Sequence, residues 1–156
     1  MKKIGIVLIA LCFAAAFYLH YFSDKKVIER TLRNAARAAE EEKLLTVVTV
    51  IAKKYHDPYG NDFETAAGYI KALFDLCDEI EISLDIRAFA IDGDKASIPI
   101  SFSISGIHEG QRGMILGESG QPAQAILEME KIRGNWQIVS TSELQIPGVE
   151  LEGPEH

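Results

Sequence analysis

Between Ile80 and Ile104 apolar and polar residues alternate with a period of two. Ile80, Ile82, Leu84, Ile86 and Ala88 interleave with Glu81, Ser83, Asp85 and Arg87, the pattern of a strand with one buried and one wet face. After Ile91 the dipeptide Asp92-Gly93 supplies turn chemistry, and Ala96, Ile98, Ile100, Phe102 and Ile104 resume the alternation, so the stretch predicts a hairpin. Pro99 has no amide hydrogen to give to a ladder and belongs at an edge or a bulge. Alternation returns at Ala125, Leu127 and Met129, and again after Gly134-Asn135 at Trp136, Ile138 and Ser140, which predicts a second hairpin and at least four antiparallel strands. Between the hairpins, Ser105 to Gly113 is rich in glycine and reads as a mobile loop or an irregular extension of the first hairpin.

The period changes upstream. Ile28, Leu32, Ala35 and Ala39 share one helical face, with Ser23 or Asp24 placed to cap the helix. Leu44, Val47, Val48 and Ile51 keep helical spacing, although the β-branched run Thr46 to Ile51 also suits a strand. Tyr55-His56-Asp57-Pro58-Tyr59-Gly60-Asn61 is a loop, because Pro58 disfavours helical geometry at Asp57 and Gly60-Asn61 is turn chemistry. Asp62 then caps a third helix whose apolar stripe is Phe63, Ala67, Ile70, Phe74 and Cys77. Helices followed by an antiparallel sheet define an α+β fold.

Ahead of all this, Ile4 to Phe22 contains no charged residue. As a helix it would be about 28 Å long, close to the ~30 Å of a bilayer's hydrocarbon layer. A cleaved signal, with Lys2-Lys3, an apolar run to Phe13 and Ala14-Ala15-Ala16, competes with a transmembrane anchor. The aromatic extension Phe17 to Phe22 favours the anchor. Residues 1–3 are then a short basic start, 4–22 a single transmembrane helix in contact with lipid, 24–145 the folded domain and 146–156 a disordered acidic tail. The short two-lysine start followed at once by an apolar helix favours an outer, periplasmic or extracellular domain, although Lys25, Lys26, Arg30, Arg33 and Arg37 argue the opposite orientation.

Composition narrows the chemistry. The 156 residues are 47% hydrophobic and 25% charged, enough for one core. The net charge is -7; without Lys2 and Lys3 the chain has 14 basic against 23 acidic residues, net -9, which argues against nucleic acid and anionic headgroups as partners. Cys12 and Cys77 set up no disulfide framework. His20, His56, His108 and His156 have no metal spacing, no glycine-serine elbow or phosphate-binding loop occurs, and no cofactor is expected.

The sequence resembles the nuclear transport factor 2-like superfamily, the cystatin-like α+β cone, over roughly Lys25 to Leu144. The resemblance rests on the long helix ending in Ala38-Ala39-Glu40, the Tyr55 to Gly60 junction, the Phe63 to Cys77 helix feeding Ile80-Glu81-Ile82, and Gly134-Asn135-Trp136-Gln137-Ile138. It implies a bent sheet wrapped around helices, often with an apolar pocket at the open end, and homodimers paired through the sheet. It does not choose between catalysis and binding. In the superfamily's enzymes a pocket carboxylate or histidine is the base, which here singles out Asp57 or His56, with Tyr55 or Tyr59 as hydrogen-bond donor. Adjacent residues in an extended loop point apart, so His56 and Asp57 are no ready-made dyad, and Asp57 also suits a turn-capping role. Tyr55, Tyr59, Tyr69, Phe74 and Trp136 are the candidate contacts for a small apolar ligand, Tyr69, Phe74 and Trp136 being equally suited to the core. The expectation is a membrane-tethered, non-catalytic domain that binds a protein partner or apolar ligand through its cone pocket or sheet face. The alternative is an isomerase, dehydratase or hydrolase.

Overall fold

The computed structural model describes the backbone of residues 2–117 and 120–148, with the side chains of residue 18 and of those from 22 onward. Three helices, α1 (Lys2–Glu40), α2 (Leu44–Val48) and α3 (Phe63–Leu76), precede six strands: β1 (Asp78–Ile86), β2 (Ala90–Asp92), β3 (Lys95–His108), β4 (Gln111–Leu116), β5 (Ala123–Ile132) and β6 (Asn135–Gln145).

The long β3 organises the sheet. One of its edges pairs with β2 and then β1, the other with β5 and then β4, and β6 completes the order β1-β3-β5-β6, all antiparallel. Pro99 lies where the first of these edges changes partner. The β2 ladder ends at Ser97 and the β1 ladder begins at Ile100, so the missing amide interrupts nothing, while the Pro99 carbonyl still accepts from Arg87 N at 3.0 Å. Of the two readings of Ser105 to Gly113, the irregular extension of the first hairpin holds and the mobile loop does not. β3 runs on to His108, turns at Glu109-Gly110 and returns as β4. Gly106 is needed inside this ladder because a Cβ there would stand 3.0 Å from Ile115 Cδ1 and 3.2 Å from the Asp78 carbonyl.

The core lies between α1 and the inner sheet face. Ile28 and Leu32 of α1 pack with Ala96, Ile98, Ile100, Ala125, Leu127, Met129 and Trp136, the inward positions of β3, β5 and β6. A second cluster holds Cys77, Ile80 and Ile104, with Leu73 and Phe74 of α3 against it. Asp62 caps α3 as expected, accepting from Thr65 N at 2.9 Å. The helix expected over Leu44 to Ile51 is only the five residues of α2. Ile51 instead bridges Ile138 in parallel, consistent with its β-branched neighbourhood.

One further expectation changes at α1. The helix does not start at Ser23 or Asp24 but continues unbroken from Lys2. Asp24 is buried mid-helix. Its Oδ1 accepts from Lys131 Nζ at 2.8 Å and Trp136 Nε1 at 3.1 Å, partners too distant in sequence for local capping rules to register. The side chains of residues 4–17 and 19–21, on which the transmembrane expectation falls, lie outside the described residues, as does the tail from residue 149. Among the described residues no helix is long and apolar enough to cross a membrane.

Candidate functional site

The site is built where the chain between α2 and α3 runs beside β6. Ala52 N donates to the Ile138 carbonyl at 2.9 Å and His56 N to the Val139 carbonyl at 3.0 Å, which fixes Tyr55 between two anchored residues. A bridge between His56 and Asp62 closes the following loop, and Gly60 takes the positive φ of +85° that the reversal requires. Asp57 is turned into that loop and His56 out of it: Asp57 is 6% exposed, whereas His56 is exposed.

Four donors converge on the Asp57 carboxylate. Tyr59 N (3.0 Å) and Asn61 N (2.9 Å) bond to Oδ1, Tyr55 OH (3.1 Å) bonds to Oδ2, and Asn61 Nδ2 reaches both oxygens at 3.3 and 3.0 Å. The carboxylate thus holds the junction together from inside. Burial, the largest effect, pushes the Tyr55 hydroxyl up to about 12; its bond to Thr141 acts in the opposite direction, and the nearby Asp57 charge adds to the rise.

Beside this junction opens a cavity of about 430 Å³. Its wall combines the rings of Tyr55, Tyr59 and Tyr69 with Leu144, Ala66 and Thr141, and Asp57 and Asn61 close one side. Tyr59 OH accepts from Leu144 N at 3.1 Å, which ties the cavity's loop wall to β6. Tyr69 is largely exposed at the rim, its hydroxyl 3.5 Å from Asn61 Oδ1.

Of the residues singled out for a ligand, Tyr55, Tyr59 and Tyr69 come together here, with Asp57. Phe74 and Trp136 do not. Phe74 packs in the second core cluster, and Trp136, 2% exposed, is bonded to Asp24 in the first. His108 is also elsewhere, its Nδ1 2.8 Å from the Leu76 carbonyl. Among the described residues no group of three or more His, Cys, Asp and Glu side chains is arranged to hold a metal ion.

Thr141 and Leu144 escape a sequence reading because β6 is irregular. Register shifts accompany the pairs Met129–Ile138 to Glu128–Ser140 and Ile126–Ser142 to Gln124–Gln145. The first puts Ser140 opposite Glu128 on the outer face and hands the inward position to Thr141, opposite buried Leu127; the second, at Glu143 with φ of 50°, lets Leu144 reach the core. A strict alternation from Trp136 and Ile138 predicts Ser140 inside. Asn61 carries a detectable signal, as the polar residue after the turn glycine.

No protein-family model matches the chain, and no curated protein does. Solved structures do. A candidate scytalone dehydratase from Novosphingobium aromaticivorans superposes with a TM-score of 0.69 at 11% identity, covering 85% of this chain and 92% of its own. A nuclear transport factor 2-like protein with a cystatin-like fold from the same organism gives 0.63 at 14%, covering 81% and 84%. A protein of unknown function with a cystatin-like fold from Nostoc punctiforme gives 0.62 at 13%, covering 81% and 93%. The chain therefore has the nuclear transport factor 2-like, cystatin-like fold. At these identities the likeness concerns the fold alone.

Proposed function

We propose that the protein is a binding domain whose ligand is a small, flat, mainly apolar molecule with one hydrogen-bonding group, taken up in the tyrosine-lined cavity. The observation that carries this reading is the state of Asp57. A general base needs a lone pair facing the substrate proton, and both Asp57 oxygens are already occupied by the four donors of its own loop. The alternative, an isomerase, dehydratase or hydrolase with Asp57 or His56 as base and Tyr55 or Tyr59 as donor, would have to break that cage or use an exposed histidine. The cavity, by contrast, needs no rearrangement. Its volume is within the range of small-ligand sites, and three aromatic rings with a few hydroxyls are the usual means of gripping a planar apolar body.

The cavity is a better candidate than the outer sheet face for a protein partner or a second copy. That face presents Ser97, Ser103, Gln124 and Glu128 around the smaller apolar pair Pro99 and Ile126, and Ser97 Oγ already donates to Glu128 Oε1 at 2.8 Å. Pairing through the sheet would appear as a dimer in sedimentation at high micromolar concentration. Tethering by Ile4 to Phe22, with the domain on the outer side, completes the proposal, supported by the uncharged run in the sequence. Protease cleavage of the 150–156 tail in intact cells checks the orientation.

The binding reading is tested with 2-naphthol as probe, following backbone amide shifts of the full chain. Shifts concentrated at Tyr59, Thr141 and Leu144, weakened at least tenfold in Tyr69→Ala, are expected. Shifts scattered over the surface, or unchanged by Tyr69→Ala, refute it.

A further inference from the structure

We infer that the chain carries a second site, a basic cleft for a phosphate-bearing ligand, at the end of the sheet where β5 turns into β6. The cleft has a volume of about 530 Å³ and is lined by Lys53, Lys54, Ile132, Arg133, Asn135 and Gln137. Three cations and two amides face one space, and no acidic side chain lines it, although acidic residues outnumber basic ones by 23 to 16 in the chain.

Two of the three cations have no carboxylate partner among the described residues. Lys54 is paired with Glu130, but among the described residues Lys53 is held over the Phe63 ring alone, 3.6 Å from its centroid, a contact that restrains the ammonium without neutralising it. Arg133 is exposed at the turn, with no carboxylate partner among the described residues. One backbone bond and one side-chain bond join the two walls. Ile138 N donates to the Val50 carbonyl at 2.8 Å and Gln137 Nε2 to the Thr49 carbonyl at 3.0 Å, so the Lys53-Lys54 segment cannot drift from the β5–β6 turn. A phosphate suits this donor set: the guanidinium offers a fork for two oxygens, the ammonium a point charge, and Asn135 a neutral donor.

The cleft shares no lining residue with the tyrosine-lined cavity, so the two readings stand or fall separately. It lies on the turn next to Lys131 and Trp136, the residues that grip Asp24, and therefore beside the part of α1 that leads to the uncharged run. The phosphate could thus belong to a lipid headgroup or to a soluble molecule. A headgroup bound here would be a local exception to the repulsion expected from the net charge.

The test uses the full chain in neutral detergent micelles and reads the amide shifts of Lys53, Arg133 and Asn135. One arm adds tripolyphosphate; the other dopes the micelles with phosphatidylglycerol. Saturable shifts in the first arm, weakened at least tenfold by the double substitution Lys53→Gln/Arg133→Gln and unchanged by Lys71→Gln on α3, support a soluble phosphate ligand. The same pattern in the second arm alone supports a headgroup. No shift in either arm, or equal affinity in the double variant, overturns the inference. Arg133→Gln alone, at an exposed turn, repeats the test without touching the Phe63 contact.

Discussion

Asp24→Ala removes the carboxylate that joins α1 to the far hairpin. Two groups lose their acceptor: the indole of Trp136, at 2% exposure, and the ammonium of Lys131. An unsatisfied buried N–H costs about 1–3 kcal/mol. Breaking a fully buried ion pair costs about 3–5 kcal/mol, but the Lys131 side chain keeps 22% of its surface and can turn towards water, so only a fraction of that applies. The sum expected is about 2–4 kcal/mol. With a urea m-value of about 2 kcal/mol/M, the midpoint falls by about 1–2 M. Trp136, the single tryptophan, reports the transition by its own fluorescence. Asp24→Asn, which keeps an acceptor but loses the charge, should fall between the two. Repeating Asp24→Asn in a Lys131→Met background isolates the charge pair, and its cost there should shrink by about 1 kcal/mol or more. If Asp24→Ala moves the midpoint by less than about 0.3 M, or the two substitutions add without coupling, the buried carboxylate is not what fixes α1 on the sheet.

Other outcomes follow from the same contacts. Tyr55 has its hydroxyl raised from the usual 10 to about 12, so its contribution to stability is complete below pH 10 and is lost between pH 10 and 12, as the unfolded chain ionises first; Tyr55→Phe should flatten that alkaline limb in urea titrations. Asp62 is held below the usual carboxylate range by its bonds to Thr65, so its contribution is present above about pH 4 and fades as the pH falls further; Asp62→Ala should shallow the acid limb and fray the start of α3 in amide exchange. Gly68→Ala, within α3 and with open space around its Cβ, should stabilise by about 0.5–1 kcal/mol in thermal unfolding. Gly106→Ala should destabilise by about 1–3 kcal/mol in the same measurement, since its Cβ would press on the Asp78 carbonyl as well as on Ile115.

Where neighbours in sequence decide the structure, the chain was readable. The period-two runs Ile80 to Ile86, Ala96 to Ile104 and Ala125 to Met129 lie inside β1, β3 and β5, Ala88 falling just outside β1, and Asp62 caps because its acceptor is three residues from its donor. Local pattern falls short where the deciding partners are far away in sequence. Asp24 resembles a cap until Lys131 and Trp136 arrive on another hairpin, and Gly106 resembles a loop residue until Ile115 and Asp78 crowd it. Half of the cavity was legible through the Tyr55 to Gly60 junction. Thr141 and Leu144 were hidden by two bulges, and the exclusion of Phe74 and Trp136 depends on which core each ring fills.

The unbroken course of α1 has a mechanical consequence. With no joint between Lys2 and Glu40, and with Glu40 itself accepting from Ile82 N on β1 at 3.0 Å, the helix works as a crankshaft keyed to the sheet. Whatever grips its first half sets the bearing of the domain as well as its distance. One residue inserted before Ser23 would swing the domain by about 100° around the helix axis while moving it about 1.5 Å along it.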